Sequence, residues 1–405
     1  MRNEKLLVVS AVNLRKGGTL TILRDCLEAL SAEAREHGLR VVALVHKKEL
    51  ALYDGIEYIE LPWSTKSWAH RLWCEYMTMH RISRRLGDID LWLSLHDTTP
   101  RVRARRQAVY CHNSYPFFRW QWRHLWQNYR IVCFALFTKW IYRINIHRNR
   151  YIIVQQQWFR KAFQQMFGIA KDRIIVSPPS RSEELKVKSE EFATAIDDCA
   201  PKTAAANSCV PSVASEQSSS ASLFTLHSSL TTFLYPAYPD VHKNFECLCE
   251  AARLLEQEVG TGRFQVLLTM SPDMNRYSHW VCRRWGEVKS IRFCGFLSRE
   301  QLYELYAKTD CLVFPSLVET WGLPISEFAV TGRPMLVADL PYGHETAAGS
   351  LCTAFFDPAD AVALKDLMRG VINGGEGLLK PVAKAPIEPP CALDWKQLVK
   401  KILYE

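Results

Sequence analysis

Cys311-Leu-Val-Phe-Pro-Ser-Leu-Val-Glu319-Thr-Trp-Gly-Leu-Pro-Ile-Ser-Glu327 is the stretch whose reading decides the fold of this 405-residue chain. Cys311 to Phe314 is a short apolar run with β-branched and aromatic members, which predicts a buried strand. Pro324 suits the first position of a helix, where its missing N–H is not needed. Ile325, Phe328 and Ala329 then recur at helical spacing. Glu319 is thereby placed in the loop at the strand's C-terminal end, and Glu327 in the first turns of the helix. The amides near Trp321, Gly322 and Leu323 fall at a helix N-terminus, where backbone N–H groups suit a phosphate. One carboxylate can accept hydrogen bonds from sugar hydroxyls and the other from ribose hydroxyls. Two glutamates at this separation, met alone, mean a solvated loop residue and one that complements a helix dipole. The strand, turn and helix around them give this pair its weight.

On both sides of this stretch, strands alternate with helices. In the first half, Leu6–Val9, Val41–Val45, Ile56–Ile59, Leu91–Leu95, Ala108–Cys111, Tyr151–Val154 and Ile174–Val176 read as strands. Between them lie amphipathic segments such as Leu20 to Leu30, where Leu20, Leu23, Leu27 and Leu30 share a face. In the second half the strand runs are Thr232–Tyr235, Phe264–Leu268, Ile291–Cys294, Cys311–Phe314, Met335–Ala338 and Ala354–Phe356. This alternation predicts an α/β chain of two Rossmann-like, doubly wound domains facing a cleft. In such sheets ligands bind beyond the C-terminal strand ends. A Ser/Ala-rich stretch too poor in apolar residues to order itself separates the halves. The expected divisions are an N-terminal domain over 1–181, a flexible insertion over 182–222, a C-terminal domain over 223–390, and a terminal helix over 391–405 placed to pack back on the first domain.

Three further features point toward the cleft. Gly17-Gly18 follows the first strand and opens a helix, which lets backbone approach a phosphate or sugar; it is neither a dinucleotide fingerprint nor a Walker loop. His112 leaves the C-terminal end of the fifth strand, where it can bond a sugar or stabilise developing charge, or simply be satisfied by backbone. Lys243 stands at a helix entrance early in the second half, where an ammonium can neutralise a diphosphate.

Together these elements resemble the retaining glycosyltransferases of family four, with the GT-B architecture of the "glycosyl transferases group 1" type. The likeness covers nearly the whole chain outside the Ser/Ala-rich stretch, and Phe314-Pro-Ser-Leu-Val-Glu319 through Glu327 carries it most specifically. The resemblance implies transfer of a hexose or deoxyhexose from a nucleotide diphosphate sugar to a saccharide acceptor, with retention and without cofactor or required metal. It further implies that Gly17 and Gly18 approach the donor, that Lys243 pairs with the diphosphate, and that Glu319 binds donor-sugar hydroxyls. Glu327 would then hold the ribose and His112 the sugar near the reacting centre. Many members carry an arginine shortly before the lysine. Here Tyr235, Tyr238 and His242 occupy that stretch, so either Lys243 and helix amides suffice or Arg15 or Lys16 contributes. A nucleotide-sugar isomerase of the same fold and a non-catalytic membrane-associated scaffold are the competing readings.

The charge distribution bears on partners. The net charge is +9, and from Thr98 through Ala170 there is no Asp or Glu but thirteen Lys and Arg, interleaved with Trp120, Trp122, Trp126 and Trp140. Such a face suits an anionic membrane surface. No nucleic-acid fold motif accompanies the basic charge, so no nucleic-acid partner is expected. The acceptor is accordingly expected to be a saccharide or lipid-linked saccharide of cell-envelope polysaccharide synthesis. No secretory signal and no apolar run of transmembrane length is visible, and thirteen dispersed cysteines read as reduced thiols without metal spacing. The expected location is the cytoplasm, with peripheral attachment at the inner membrane face.

Overall fold

The computed structural model describes residues 5–179, 230–375 and 377–405. The expected insertion over 182–222 and the domain limits at 181 and 223 lie outside the described residues.

Two all-parallel sheets organise the chain. The first has seven strands: β1 (Leu6–Ala11), β2 (Arg40–Val45), β3 (Ile56–Glu60), β4 (Leu91–Ser94), β5 (Arg106–Cys111), β6 (Tyr151–Val154) and β7 (Ile174–Val176). The second has six: β8 (Thr231–Tyr235), β9 (Phe264–Leu268), β10 (Ile291–Phe293), β11 (Cys311–Phe314), β12 (Met335–Ala338) and β13 (Thr353–Phe356). Their spatial orders are 3-2-1-4-5-6-7 and 10-9-8-11-12-13. Each order reverses once, between β1 and β4 and between β8 and β11. Beyond the C-terminal ends of those strands the flanking loops diverge and leave a crevice.

The helices are α1 (Gly17–His37), α2 (Trp68–Trp73), α3 (Met79–Leu86), α4 (Trp122–Arg143) and α5 (Gln157–Phe167) in the first domain. In the second are α6 (Phe245–Val259), α7 (Arg276–Trp285), α8 (Arg299–Ala307), α9 (Leu323–Ala329), α10 (Pro341–Thr346) and α11 (Ala361–Ile372), and α12 (Trp395–Tyr404) ends the chain. Helices cover both faces of the first sheet, so its inner strands are apolar on both sides. Leu7 and Val9 of β1 pack with Cys26, Leu27 and Leu30 of α1, while Leu6 and Val8 meet Trp92, Cys74 and Met79 opposite. In the second domain Phe233, Leu248, Phe328 and Met368 belong to one core.

The terminal helix packs on the first domain. Leu398, Val399, Ile402 and Leu403 are buried in the α1 cluster. Trp395 stacks on Tyr110 with ring centroids 5.4 Å apart, and Tyr404 Oη donates to Glu33 at 3.1 Å. The start of α9 differs from expectation by one residue. Gly322 takes a left-handed conformation (φ 86°) at the N-cap, so Leu323 begins the helix and Pro324 is its second residue.

The domains also meet directly. Glu345 of α10 accepts hydrogen bonds from the amides of Gln157 and Trp158 at 2.7 and 2.6 Å. These are the first two residues of α5, whose own N-cap, Gln156, offers no side-chain cap. The helix start in one domain is thus capped by a carboxylate of the other. Gln156 itself reaches Thr346 Oγ1 at 2.7 Å.

Candidate functional site

Both crevices carry the residues singled out above. On the first domain, β1 runs into Gly17-Gly18. Gly17 has φ 53°, a conformation that a side chain would strain. A Cβ at Gly18 would lie 3.7 Å from Leu323 Cδ1. The glycine turn of one domain and the start of α9 in the other therefore face each other across the cleft.

On the second domain, β8 leads to Lys243 and β11 to Glu319. Lys243 Nζ stands 2.5 Å from Glu319 Oε1, with only 19% and 13% of the two side chains exposed. Several bonds fix this corner. Asn244, left-handed at φ 55°, donates to Pro315 O and Pro358 O at 3.1 and 2.8 Å. Tyr235 Oη donates to Lys243 O at 2.8 Å, and Tyr342 Oη to Ser316 O at 2.6 Å.

Glu327 lies in α9 as expected, in a tyrosine cradle that the sequence did not disclose. It accepts from Tyr306 Oη at 3.1 Å and Tyr303 Oη at 3.5 Å. Burial pushes its carboxyl up, against the opposing charge of Arg299 and the tyrosine bonds. Trp321 donates its indole N–H to Ser326 Oγ at 3.1 Å, and its carbonyl accepts from Thr346 Oγ1. Leu323 is 38% exposed at the cleft.

His112 is held by a residue the sequence reading passed over. Asp97 takes a left-handed backbone conformation (φ 68°) just beyond β4. Its Oδ1 accepts from the amides of His112 and Asn113 at 2.7 and 3.0 Å, and its Oδ2 lies 3.3 Å from His112 Nε2. A carboxylate only accepts, so His112 Nε2 faces Asp97 as the donor side of this contact. Nδ1 is buried and has no partner. A polar network lies beside Asp97. Glu75, fully buried, accepts from Arg71 Nε at 2.8 Å and Thr98 Oγ1 at 2.6 Å, and His96 Nδ1 stands 3.3 Å from it. Burial lowers the His96 pKa to about 4, so this ring is neutral and serves as a hydrogen-bonding strut to Ser10 Oγ at 3.0 Å.

A second link crosses the cleft near this corner. Tyr115 Oη donates to Asp240 Oδ2 at 3.2 Å, and its ring meets His242 edge-on at 4.9 Å. Burial, reinforced by the charges of Asp240 and then Glu319, raises the Tyr115 hydroxyl well above its usual pKa, so it stays a donor. Of the cations weighed for the diphosphate, Lys16 is the N-cap of α1. Arg15 lies near His46, whose pKa burial and then the Arg15 charge hold down. Arg299, which the sequence reading did not single out, acts on both Glu327 and Asp25. Among the described residues, Glu33, Glu36 and His37 bring three potential metal ligands within 4.8 Å. They lie at the end of α1 opposite Gly17, remote from the cleft.

Residues 232–373 match the family model described as glycosyl transferases group 1. An uncharacterized glycosyltransferase of Methanocaldococcus jannaschii is 29% identical over 76 residues, which are 19% of this chain and only 20% of that relative's length. Among solved structures, WaaG, a glycosyltransferase involved in lipopolysaccharide biosynthesis, aligns with a TM-score of 0.58 at 14% identity, covering 91% of each chain. HepE of Anabaena, in complex with UDP-glucose, aligns with a TM-score of 0.56 at 12% identity over 98% of this chain and 95% of that one. At these identities the likeness is one of fold, and the fold is GT-B.

Proposed function

We propose that this GT-B chain, whose residues 232–373 form a glycosyl transferases group 1 domain, moves a hexose or deoxyhexose from a nucleotide diphosphate sugar to a saccharide acceptor, with retention and without a required metal. The meeting of Gly18 with Leu323 across the cleft, at the end of the loop whose Glu319 pairs with Lys243, carries the reading. It brings a glycine turn of one domain against the helix start of the other, and the loop leading to that helix carries the carboxylate of the Lys243–Glu319 pair.

In this reading Lys243 and the amides at Trp321, Gly322 and Leu323 take the negative charge of the departing diphosphate. Such fixed donors stabilise charge as it develops. Glu319 accepts from donor-sugar hydroxyls and Glu327 from the ribose. His112, oriented by Asp97, offers Nδ1 to a sugar hydroxyl near the reacting carbon, and the acceptor attacks on the face the diphosphate leaves. Closing the cleft excludes water and limits donor hydrolysis. The acceptor in this proposal is a lipid-linked saccharide of cell-envelope polysaccharide synthesis, reached by a peripheral protein on the inner membrane face. The acid-free stretch from Thr98 to Ala170 supports this, and one structural neighbour is described as acting in lipopolysaccharide biosynthesis.

A thermal-shift panel of UDP-, GDP- and other nucleotide sugars tests the donor. A ligand that binds only the native state raises the apparent melting temperature. Glu327→Ala should weaken binding of both donor and free nucleotide about tenfold or more, the usual cost of losing a charged hydrogen-bond partner. Absence of any nucleotide-sugar shift, or wild-type affinity and transfer in this variant, would sink the assignment. Donor converted in the absence of acceptor, without loss of nucleotide, would point to an isomerase instead.

A further inference from the structure

Helix α4 shows solvent a more aromatic face than it buries. Its buried residues are His124, Val132, Ala135, Thr138 and Tyr142. On the outside, Trp122, Trp126, Tyr129, Phe137, Trp140 and Ile144 are 76, 81, 54, 62, 57 and 45% exposed. From Tyr129 onward these positions recur at helical spacing and form one stripe. Asn128 leaves helical geometry (φ −158°, ψ 85°), so Trp122 and Trp126 stand on a preceding segment set at an angle. Scattered exposed apolar residues are ordinary, but a contiguous aromatic stripe marks a surface that something covers.

Charge identifies the cover. Arg119, Arg123, Arg130, Lys139 and Arg143 are all exposed, and no acidic residue occurs between Thr98 and Ala170. The cations flank the rings: Lys139 Nζ and the Arg143 guanidinium each lie 5.6 Å from the Trp140 ring centroid, and the Arg130 guanidinium lies 5.9 Å from that of Tyr129. Aromatic bodies rimmed by long cationic side chains match the boundary between acyl chains and anionic headgroups. A second copy of this chain is a poor cover, because it would bring two cationic α4 helices together with no acid on either helix to pair them. No helix among the described residues is long and apolar enough to cross a membrane, so α4 would lie in the plane of the surface.

We propose that α4 is a membrane-docking helix whose Trp126, Phe137 and Trp140 enter the interface of an anionic bilayer. The segment before it is the loop that holds His112 and Tyr115, and the Tyr115 ring packs edge-on against Phe134 of α4 at 5.4 Å. Trp68, 47% exposed, lies against the same Phe134 at 5.2 Å and widens the apolar face. Docking therefore sets the mouth of the cleft at headgroup level, within reach of a saccharide held on a lipid. The docking rests on the exposed face alone; only its use in presenting an acceptor rests on the sugar-transfer reading.

Flotation of the full chain with phosphatidylcholine vesicles, with and without phosphatidylglycerol, tests the proposal. The protein should float with the anionic vesicles at low salt and be partly released at high salt. Joint replacement Trp126→Ala, Phe137→Ala and Trp140→Ala should lower the vesicle-bound fraction at least about tenfold. Arg130→Gln, Lys139→Gln and Arg143→Gln should remove most of the salt dependence. Every one of these side chains is exposed, so an unchanged melting temperature is expected and checks the fold. Should the aromatic variant misfold, quenching of wild-type tryptophan fluorescence by brominated acyl chains decides the matter. Equal recovery with neutral, anionic and no vesicles, or lipid binding unaltered in both variants, overturns the proposal. So does lipid-free self-association abolished by the aromatic variant, which assigns the face to a second copy. Nucleotide-sugar binding measured on the same protein without vesicles keeps the two readings apart: a protein that binds donor but ignores lipid loses only the docking helix.

Discussion

Lys243 and Glu319 neutralise each other at 2.5 Å across the join of two strand-end loops. In the proposed donor site, a diphosphate and the Glu319 carboxylate would share this one ammonium.

The two members of the pair should fail differently when replaced. Glu319→Gln frees the ammonium, so free nucleoside diphosphate should bind as well as to wild type or better, while turnover drops about tenfold or more through the lost sugar contact. Lys243→Ala should weaken the nucleoside diphosphate about tenfold and leave the bare nucleoside unaffected. Titration calorimetry with both ligands reads this directly. Equal diphosphate affinity in wild type and Lys243→Ala would remove the lysine from the donor site.

Asp25 supplies a pH signature. Burial chiefly, with help from Glu28 and opposition from Arg299, raises its pKa from 3.8 to about 6. A carboxyl raised in the folded state favours folding while protonated and costs stability once ionised. Its contribution is full below 3.8 and is lost as pH rises through about 6. Asp25→Asn should therefore stabilise the protein at pH 7 to 8 by about 1 kcal/mol, a figure discounted for solvent screening of a part-exposed group. The gain should shrink steadily toward pH 4. Urea midpoints of the two proteins that stay parallel across this range would contradict the assignment.

Glu345 caps a helix that belongs to the other domain. Glu345→Ala should cost about 0.5–2 kcal/mol, the range for loss of a side-chain cap. The amides of Gln157 and Trp158 should then exchange faster with deuterium, since they are among the orphan donors of α5. Glu345→Gln keeps an acceptor and should fall between the two. Unchanged protection of both amides in Glu345→Ala would show that water replaces the cap at no cost.

The strands were legible because parallel strands covered on both faces must be continuous apolar runs, as in Leu6–Val9 and Cys311–Phe314. The placement of Gly17, His112, Lys243 and Glu319 followed, since each stands just past a strand end and the topology gathers those ends. What stayed hidden depends on contacts distant in sequence. Asp97 precedes His112 by fifteen positions and meets it only because β4 and β5 are neighbours. Glu345 and Gln157 are 188 positions apart. The tyrosines around Glu327 look like ordinary core residues of a neighbouring helix until α8 and α9 are packed together. In α4, aromatic residues occupy both sides, so periodicity alone could not say which side faces inward. The shifted start of α9 came from Gly322, whose left-handed conformation serves as the N-cap without a side chain.

The chain passes between the domains twice. It leaves the first after β7 and enters the second at β8. It then returns after Lys380, which pairs with Thr353, and rejoins the first sheet where Cys391 pairs with Val176. Pro381, Pro386, Pro389 and Pro390 stiffen the return span. A short span held at each end by backbone pairing ties the two sheets closely together. Any opening of the cleft that parts Gly18 from Leu323 must therefore bend this span.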